Sequence, residues 1–306
     1  MEDFVHLHVH THYSILDGQS KVPHLVDKAI KDGMKGMAIT DHGVMYGIKE
    51  FSDYCASVNK KRKAEGQEPF KPIFGCEMYV AHHRKEDRDK AAGDGSGYHL
   101  IVLAKNYHGY KNLIKLVSRS WVDGYYYKPR TDSFDLEKYH EDLIVSSACL
   151  GGEIPQKILK GDIEGAREAV EWYHNLFGDD FYLELQRHQV TDPNVHANRE
   201  TYPLQQKVNK VLMQFSKEYG IKLICTNDCH FEDKETAEAH DHLLCLATGK
   251  DLDDPTRMVY TKQEWFKTRA EMNAIFSDVP EALSNTLEID HFHTLPVSRR
   301  GRTPLR

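Results

Sequence analysis

Short apolar runs alternate with amphipathic stretches along most of this 306-residue chain, and that alternation narrows the possible folds more than any other feature. The runs are Phe4–Val9, Gly36–Thr40, Pro72–Gly75, Leu100–Leu103, Leu143–Ser146, Phe181–Leu185 and Ile221–Cys225. Between them, helical spacing covers Val22–Lys31, Tyr46–Ala64, Tyr110–Trp121, Glu153–Leu159, Ile163–Leu176 and Pro203–Tyr219. A strand followed by a helix brings the chain back to the same end of a sheet, so the pattern predicts parallel βαβ units. Seven strands favour a closed α/β barrel, a (β/α)7 arrangement, over an open sheet. An α/β barrel takes about 250 residues, which leaves room for the helices expected at Lys234–Thr248, Glu264–Phe276 and Pro280–Glu288. The charged, glycine-ended stretch His82–Gly97 reads as a mobile surface loop. Residues 1–290 are expected to form the barrel with its C-terminal helices. The last sixteen, His291–Arg306, hold four Arg and no acid, and read as a disordered basic tail.

Forty Lys and Arg against 47 Asp and Glu give 40 − 47 = −7, which excludes a chain whose whole surface is a basic nucleic-acid clamp. A hydrophobic content of 40% supplies a real core and excludes disorder. Mean hydropathy is −0.61, and no apolar run approaches the ~18 residues of a membrane span. With no signal-like N-terminus, the expected compartment is the cytoplasm. Six cysteines without compact spacing do not make a disulfide scaffold.

Chemistry is carried by what stands at the strand ends, where parallel α/β folds gather their ligands. Strand one places His6, His8 and His10 at alternate positions on one side, with Asp17 in the next loop. Strand two ends in Thr40-Asp41-His42-Gly43, strand three leads to Glu77, and strand five ends before Cys149. Strand seven runs into Asn227-Asp228-Cys229-His230. Strand four is the exception, with His99 at its start. Nine residues of zinc-ligand type are therefore candidates: His8, His10, Asp17, His42, Glu77, His99, Cys149, Asp228 and His230. One tetrahedral site needs only four, so the count points to two or three metals sharing carboxylates, the arrangement that clamps both oxygens in phosphoryl hydrolysis. Each residue has an ordinary alternative: Cys149 as buried packing, and Asp41 and Asp228 as helix caps. Those alternatives would have to place ligand types in six separate places by accident. His6 shares the face and is expected to support the others from behind. His12, His24, His82, His83 and His108 read as solvent-facing. Lys60-Lys61-Arg62-Lys63 reads as a solvated helix face.

The series His8-x-His10-Thr11, Thr40-Asp41-His42-Gly43, Gly75-x-Glu77 and Asn227-Asp228-x-His230 resembles the motifs of the PHP (polymerase and histidinol phosphatase) superfamily. Phe4–Gly18, Tyr98–Leu113, Ser146–Pro155 and Ala247–Pro255 are more specifically similar to the PHP domains of bacterial DNA polymerase III alpha subunits. The resemblance spans about residues 4 to 289. It implies a distorted seven-stranded PHP-type barrel with a trinuclear centre. One metal would take His8, His10, Glu77 and Asp228. A second would share Glu77 and add His99 and Cys149. The third would take Asp17, His42 and His230. Zinc is favoured by the thiolate and imidazoles, and the carboxylates leave manganese open.

The function implied is metal-dependent phosphodiester hydrolysis in DNA replication, as a 3′→5′ exonuclease on a primer end, with Asp228, His99 and Glu77 as catalytic residues. The implied partners are DNA, the remaining polymerase domains and replisome subunits, with no membrane. The alternative is a catalytically silent, metal-stabilised module that supports the polymerase or docks a proofreading subunit. A small-molecule phosphatase of the histidinol phosphate kind fits less well. Asp251-Leu252-Asp253 has the letters of a polymerase site but reads as a turn, so no DNA synthesis is expected of this chain alone.

Overall fold

The structure, a computed structural model, describes residues 1–292. Eight strands form one sheet: β1 (Gly36–Ile39), β2 (Lys71–Val80), β3 (Tyr98–Ala104), β4 (Tyr125–Tyr126), β5 (Lys128–Thr131), β6 (Leu143–Ser146), β7 (Phe181–Leu185) and β8 (Leu223–Cys225). The order is β4-β5-β2-β3-β6-β7-β8, with β1 also on β2. Strands β1 and β2, β2 and β5, β6 and β7, and β7 and β8 pair in parallel. Strand β3 runs antiparallel to both β2 and β6. The expected all-parallel ring is thus a mixed one. The charged stretch between β2 and β3 contains no helix and returns the chain as a hairpin rather than a crossover.

The first apolar run, Phe4–Val9, is extended but is not a regular strand. Its backbone is held from both sides: His6 O and Val9 O accept from the amides of Ala38 and Thr40, and His8 O accepts from Cys229 N. His10 N donates in turn to Cys229 O at 2.7 Å. These bonds join the β1 side of the sheet to the chain just past β8, so the sheet curls into a barrel with this segment as its closing stave.

Helices cover the outside: α1 (Val22–Lys31), α2 (Ile48–Ala64), α3 (Tyr107–Val122), α4 (Ser133–Tyr139), α5 (Glu153–Lys160), α6 (Ile163–Phe177), α7 (Thr201–Tyr219), α8 (Ala237–Thr248), α9 (Arg269–Ile275) and α10 (Pro280–Phe292). In α1 the apolar Val22, Leu25, Val26 and Ala29 recur at helical spacing and are buried. Asn106 caps α3 by accepting from the amides of His108 and Gly109.

Two expectations need correction. Glu264–Phe276 is not one helix: Trp265 forms a parallel bridge with Phe231, and Phe266 N donates to Phe231 O. Only after Thr268, which makes a capping box with Glu271, does α9 begin. Nor is His82–Gly97 a free loop. The buried Arg130 guanidinium donates to the carbonyls of Asp94, Lys85 and Asp87, and its Nε to Gly124 O. Buried Lys85 meets Asp135 at 3.1 Å. The basic tail lies outside the described residues except for its first two positions, which end α10.

Removing the Arg130 side chain strands four carbonyls. Arg130→Ala is expected to cost about 3 kcal/mol and to open 82–97 to protease, checked by thermal melting and limited proteolysis.

Candidate metal centre

Reversal of β3 explains why His99 stands at the start of its strand. Because β3 is antiparallel, His99 lies beside Tyr79 near the end of β2 and bridges to Gly152 just past β6. The start of this strand therefore meets the ends of the others. There the structure brings all nine candidate residues together.

Glu77 is the hub. Its Oε1 lies 2.8 Å from His99 Nδ1, 3.4 Å from His8 Nε2 and 3.7 Å from Cys149 Sγ. Its Oε2 lies 2.6 Å from His42 Nδ1 and 3.2 Å from His10 Nε2. Asp228 Oδ1 lies 3.0 Å from His8 Nε2 and 3.3 Å from His10 Nε2. Asp17 Oδ2 faces His42 Nε2 at 2.9 Å and His230 Nε2 at 3.7 Å. Buried polar atoms are normally hydrogen-bonded. Six buried atoms here have no such partner: Nε2 of His8, His10 and His230, Nδ1 of His42, Oε2 of Glu77 and Oδ1 of Asp228. Buried ligand-type atoms that converge without hydrogen bonds fit divalent cations.

Three sets draw close enough to hold an ion: His8, His10 and Asp228; His42, Glu77 and His99; and His10, His42 and His230. His42 has one nitrogen toward Glu77 and the other toward Asp17, so its place in the expected third set is shared with the Glu77 side. His6 does not join. Its ring packs against Phe4 and Phe266, and its Nε2 bonds Lys267 O.

Beside the centre a cavity of about 290 Å³ is bordered by Cys149 and Asp228. Leu150, Met258 and Val259 line it together with Gln186, Gln205 and Tyr260.

Residues 6–188 match the family model for the PHP domain. The chain belongs to the PHP domain family. It is 42% identical over 287 residues to the DNA polymerase III subunit alpha of Borreliella burgdorferi, covering 94% of this chain and 23% of that protein. With the Thermus aquaticus subunit it shares 39% over 294 residues, again 94% of this chain and 22% of the relative. The chain thus spans about a quarter of the relatives it matches. The solved histidinol phosphate phosphatase of Lactococcus lactis aligns at a TM-score of 0.38 and 14% identity, over 87% of this chain and all of that one. That superposition is too loose to transfer any residue or role.

This PHP domain also holds its candidate ligands from behind. Glu184 Oε1 meets His8 Nδ1 at 2.7 Å and receives bonds from Thr226 and Gln186, while Ser146 bonds Oε2. Ser14 Oγ receives His10 Nδ1 at 2.9 Å and donates to Asp41, which also takes the amide and hydroxyl of Thr11. Asp41 is therefore an anchor for the histidine loop rather than a helix cap. Tyr260 and His240 donate to the carboxylate and carbonyl of Asp17. Gly151 must lack a side chain, since a Cβ there would lie 2.9 Å from the His99 ring. Asp228 sits at φ +47, a left-handed conformation that aspartate tolerates better than most residues and that is common at functional sites.

Sequence reading missed Glu184, Gln186 and His188. A signal for them existed: a lone acid in an apolar strand, followed by polar residues at the same two-residue spacing as the histidines. Ser14, Tyr260 and His240 had none, because only the fold brings 240 and 260 to residue 17.

Burial disfavours charge on these imidazoles; at His10 it prevails, with His42 and His230 adding to it, whereas at His8, His42 and His230 the carboxylates outweigh it. Asp228, Glu184 and Glu77 hold the His8 pKa well above its ordinary value. Glu77 and Asp17 push His42 up to about 10, and Asp17 and Asp228 push His230 up to about 9. Burial, with Glu77 and Asp228 adding to it, pushes the Cys149 thiol up. Metal must displace these protons. At pH 7.5, below the raised values, zinc binding is expected to release more than one proton per chain. Affinity should rise as pH climbs from 6 toward 9, and calorimetry in buffers of differing ionisation enthalpy measures both. Glu184→Gln keeps the shape of the support but removes its charge; metal affinity is expected to fall about tenfold or more in chelator competition.

Proposed function

We propose that this PHP domain hydrolyses phosphodiester bonds with bound divalent metals, at the 3′ end of single-stranded DNA, as part of a DNA polymerase III alpha subunit. The observation that carries the reading is the convergence of six partnerless buried ligand atoms on a centre that borders a cavity. On this reading one metal takes His8, His10, Glu77 and Asp228. A second takes Glu77, His99 and Cys149, and a third takes Asp17, His42 and His230. Zinc suits the nitrogen and sulfur donors, and manganese the carboxylates. Bound there, such metals supply Lewis acidity and an activated water.

The protein's own groups do the rest. Glu77, central and buried, ties the metal positions together. Asp228 engages the histidines through Oδ1 and borders the cavity, so it stands between the metal positions and the substrate. His99, with 26% of its side chain exposed, would be accessible to the leaving oxygen. The cavity takes the terminal nucleoside. Synthesis is not part of the proposal: Asp251–Asp253 lies in a turn after α8. Among the described residues no helix is long and apolar enough to cross a membrane.

A second reading has support in the same geometry. The candidate ligands come from seven separate stretches of chain, so metal would cross-link the barrel even without catalysis. In that case the domain supports the polymerase or docks another subunit.

The test is a 5′-labelled single strand incubated with zinc or manganese, beside Asp228→Ala and His99→Ala. Shortening from the 3′ end is expected, with each variant slower by about a hundredfold or more while still folded by circular dichroism. Metal bound without shortening, and ligand variants that only melt earlier, would establish the structural reading.

A further inference from the structure

The run Tyr125-Tyr126-Tyr127 has no part in the centre, and it leaves aromatic surface in solvent. Tyr125 is 49% exposed, Tyr127 60% and Trp121, on the last turn of α3, 40%. The Trp121 and Tyr125 rings stack at 5.4 Å and 16°, so two aromatic planes are presented in parallel. Lysines flank the group: Lys128 lies 5.2 Å from the Tyr79 ring centre and Lys90 5.7 Å from that of Tyr127. The neighbouring acid Asp123 is engaged by Arg119 at 3.2 Å.

This surface adjoins the metal centre. Trp121 Nε1 donates to Gly43 O at 2.7 Å, and Gly43 directly follows His42. Pro129 and Tyr79 close over Gly43. Tyr79 shares its strand face with Glu77, and its ring lies 5.3 Å from that of His99 and 6.0 Å from that of His42. The centre therefore has a cavity on its Asp228 and Cys149 side and exposed aromatic planes with lysines on its His42 side. Planes for bases with cations for phosphates are what a single strand needs for sequence-tolerant binding.

We propose that Trp121, Tyr125 and Tyr127, with Lys128 and Lys90, form a stacking platform for single-stranded DNA whose end enters the metal centre. The proposal rests on the reading of that centre as a DNA-hydrolysing site, and adds how a chain of net charge −7 holds such a substrate. The lysines and the continuity with the centre favour nucleic acid over a protein partner as the occupant.

The test uses the full zinc-loaded chain and a fluorescein-labelled dodecathymidylate protected by 3′ phosphorothioates, read by anisotropy and by tryptophan emission. Quenching is expected on binding. Tyr125→Ala and Lys128→Gln should each weaken affinity, the first by about tenfold, with Tyr125→Phe restoring it. Tyr107→Ala is the matched control, an exposed tyrosine also under a lysine but at the other end of α3, and should bind as the parent. Unquenched emission, or Tyr125→Ala binding as tightly as the parent, would overturn the platform and leave the aromatic face to a protein partner. Platform binding with an unprotected strand left uncut would overturn the nuclease reading alone. Cutting with unaltered Tyr125→Ala affinity would overturn the platform alone.

Discussion

Glu77 is a carboxylate with 1% of its surface exposed, and a buried charge of that kind persists only when opposite charge surrounds it. Four imidazoles, those of His8, His10, His42 and His99, lie within 3.4 Å of its oxygens. Protons on His8 and His42, whose affinity for them is raised, or metal ions between the rings and the carboxylate, supply the compensation. Either way the hub and its ring of histidines are one electrostatic unit. The curled sheet is what makes that unit possible, since it gathers distant segments into a space a few ångströms across. Glu184, Ser14 and Asp41 extend the unit outward by fixing the far nitrogens of His8 and His10.

Two backbone features shape this space. The first is closure by Phe4–His10, which takes hydrogen bonds from both the β1 side and the segment after β8. Two of the candidate ligands, His8 and His10, make bonds of this kind with Cys229, so the stave that closes the barrel also carries part of its centre. The second is the reversed strand β3, which delivers His99 from its beginning. A parallel strand in the same slot would put that histidine at the far end of the barrel. The loop that permits the reversal is itself held by Arg130, so a buried guanidinium distant from the centre helps define where His99 stands.

Outward from the hub the surroundings are unequal. One side is a cavity where Leu150, Met258 and Val259 stand among polar side chains; the other carries exposed aromatic rings flanked by lysines. An acidic chain repels a polyanion over most of its surface. Attraction is confined to where cations are placed, which makes the route of a nucleic acid a matter of a few local positions rather than of overall charge.

The sequence by itself determined the alternation of strands and helices and the family, and it named the nine candidate ligands that the fold brings together. Each depends on short-range pattern: apolar runs a few residues long, histidines at alternate positions, and ligand types just past strand ends. Tertiary structure decided the rest. Strand direction depends on whether a loop returns or crosses over, so the antiparallel β3 could not be read from periodicity. Residues 264–266 have helical spacing but pair with Phe231 instead, because a long-range bridge outweighs a local preference. His6 shares the spacing of His8 and His10, yet neighbouring phenylalanines, not the centre, receive its ring. The environment of a side chain is set by what packs against it, and for the contacts between residues 17, 240 and 260 that information lies only in the folded chain.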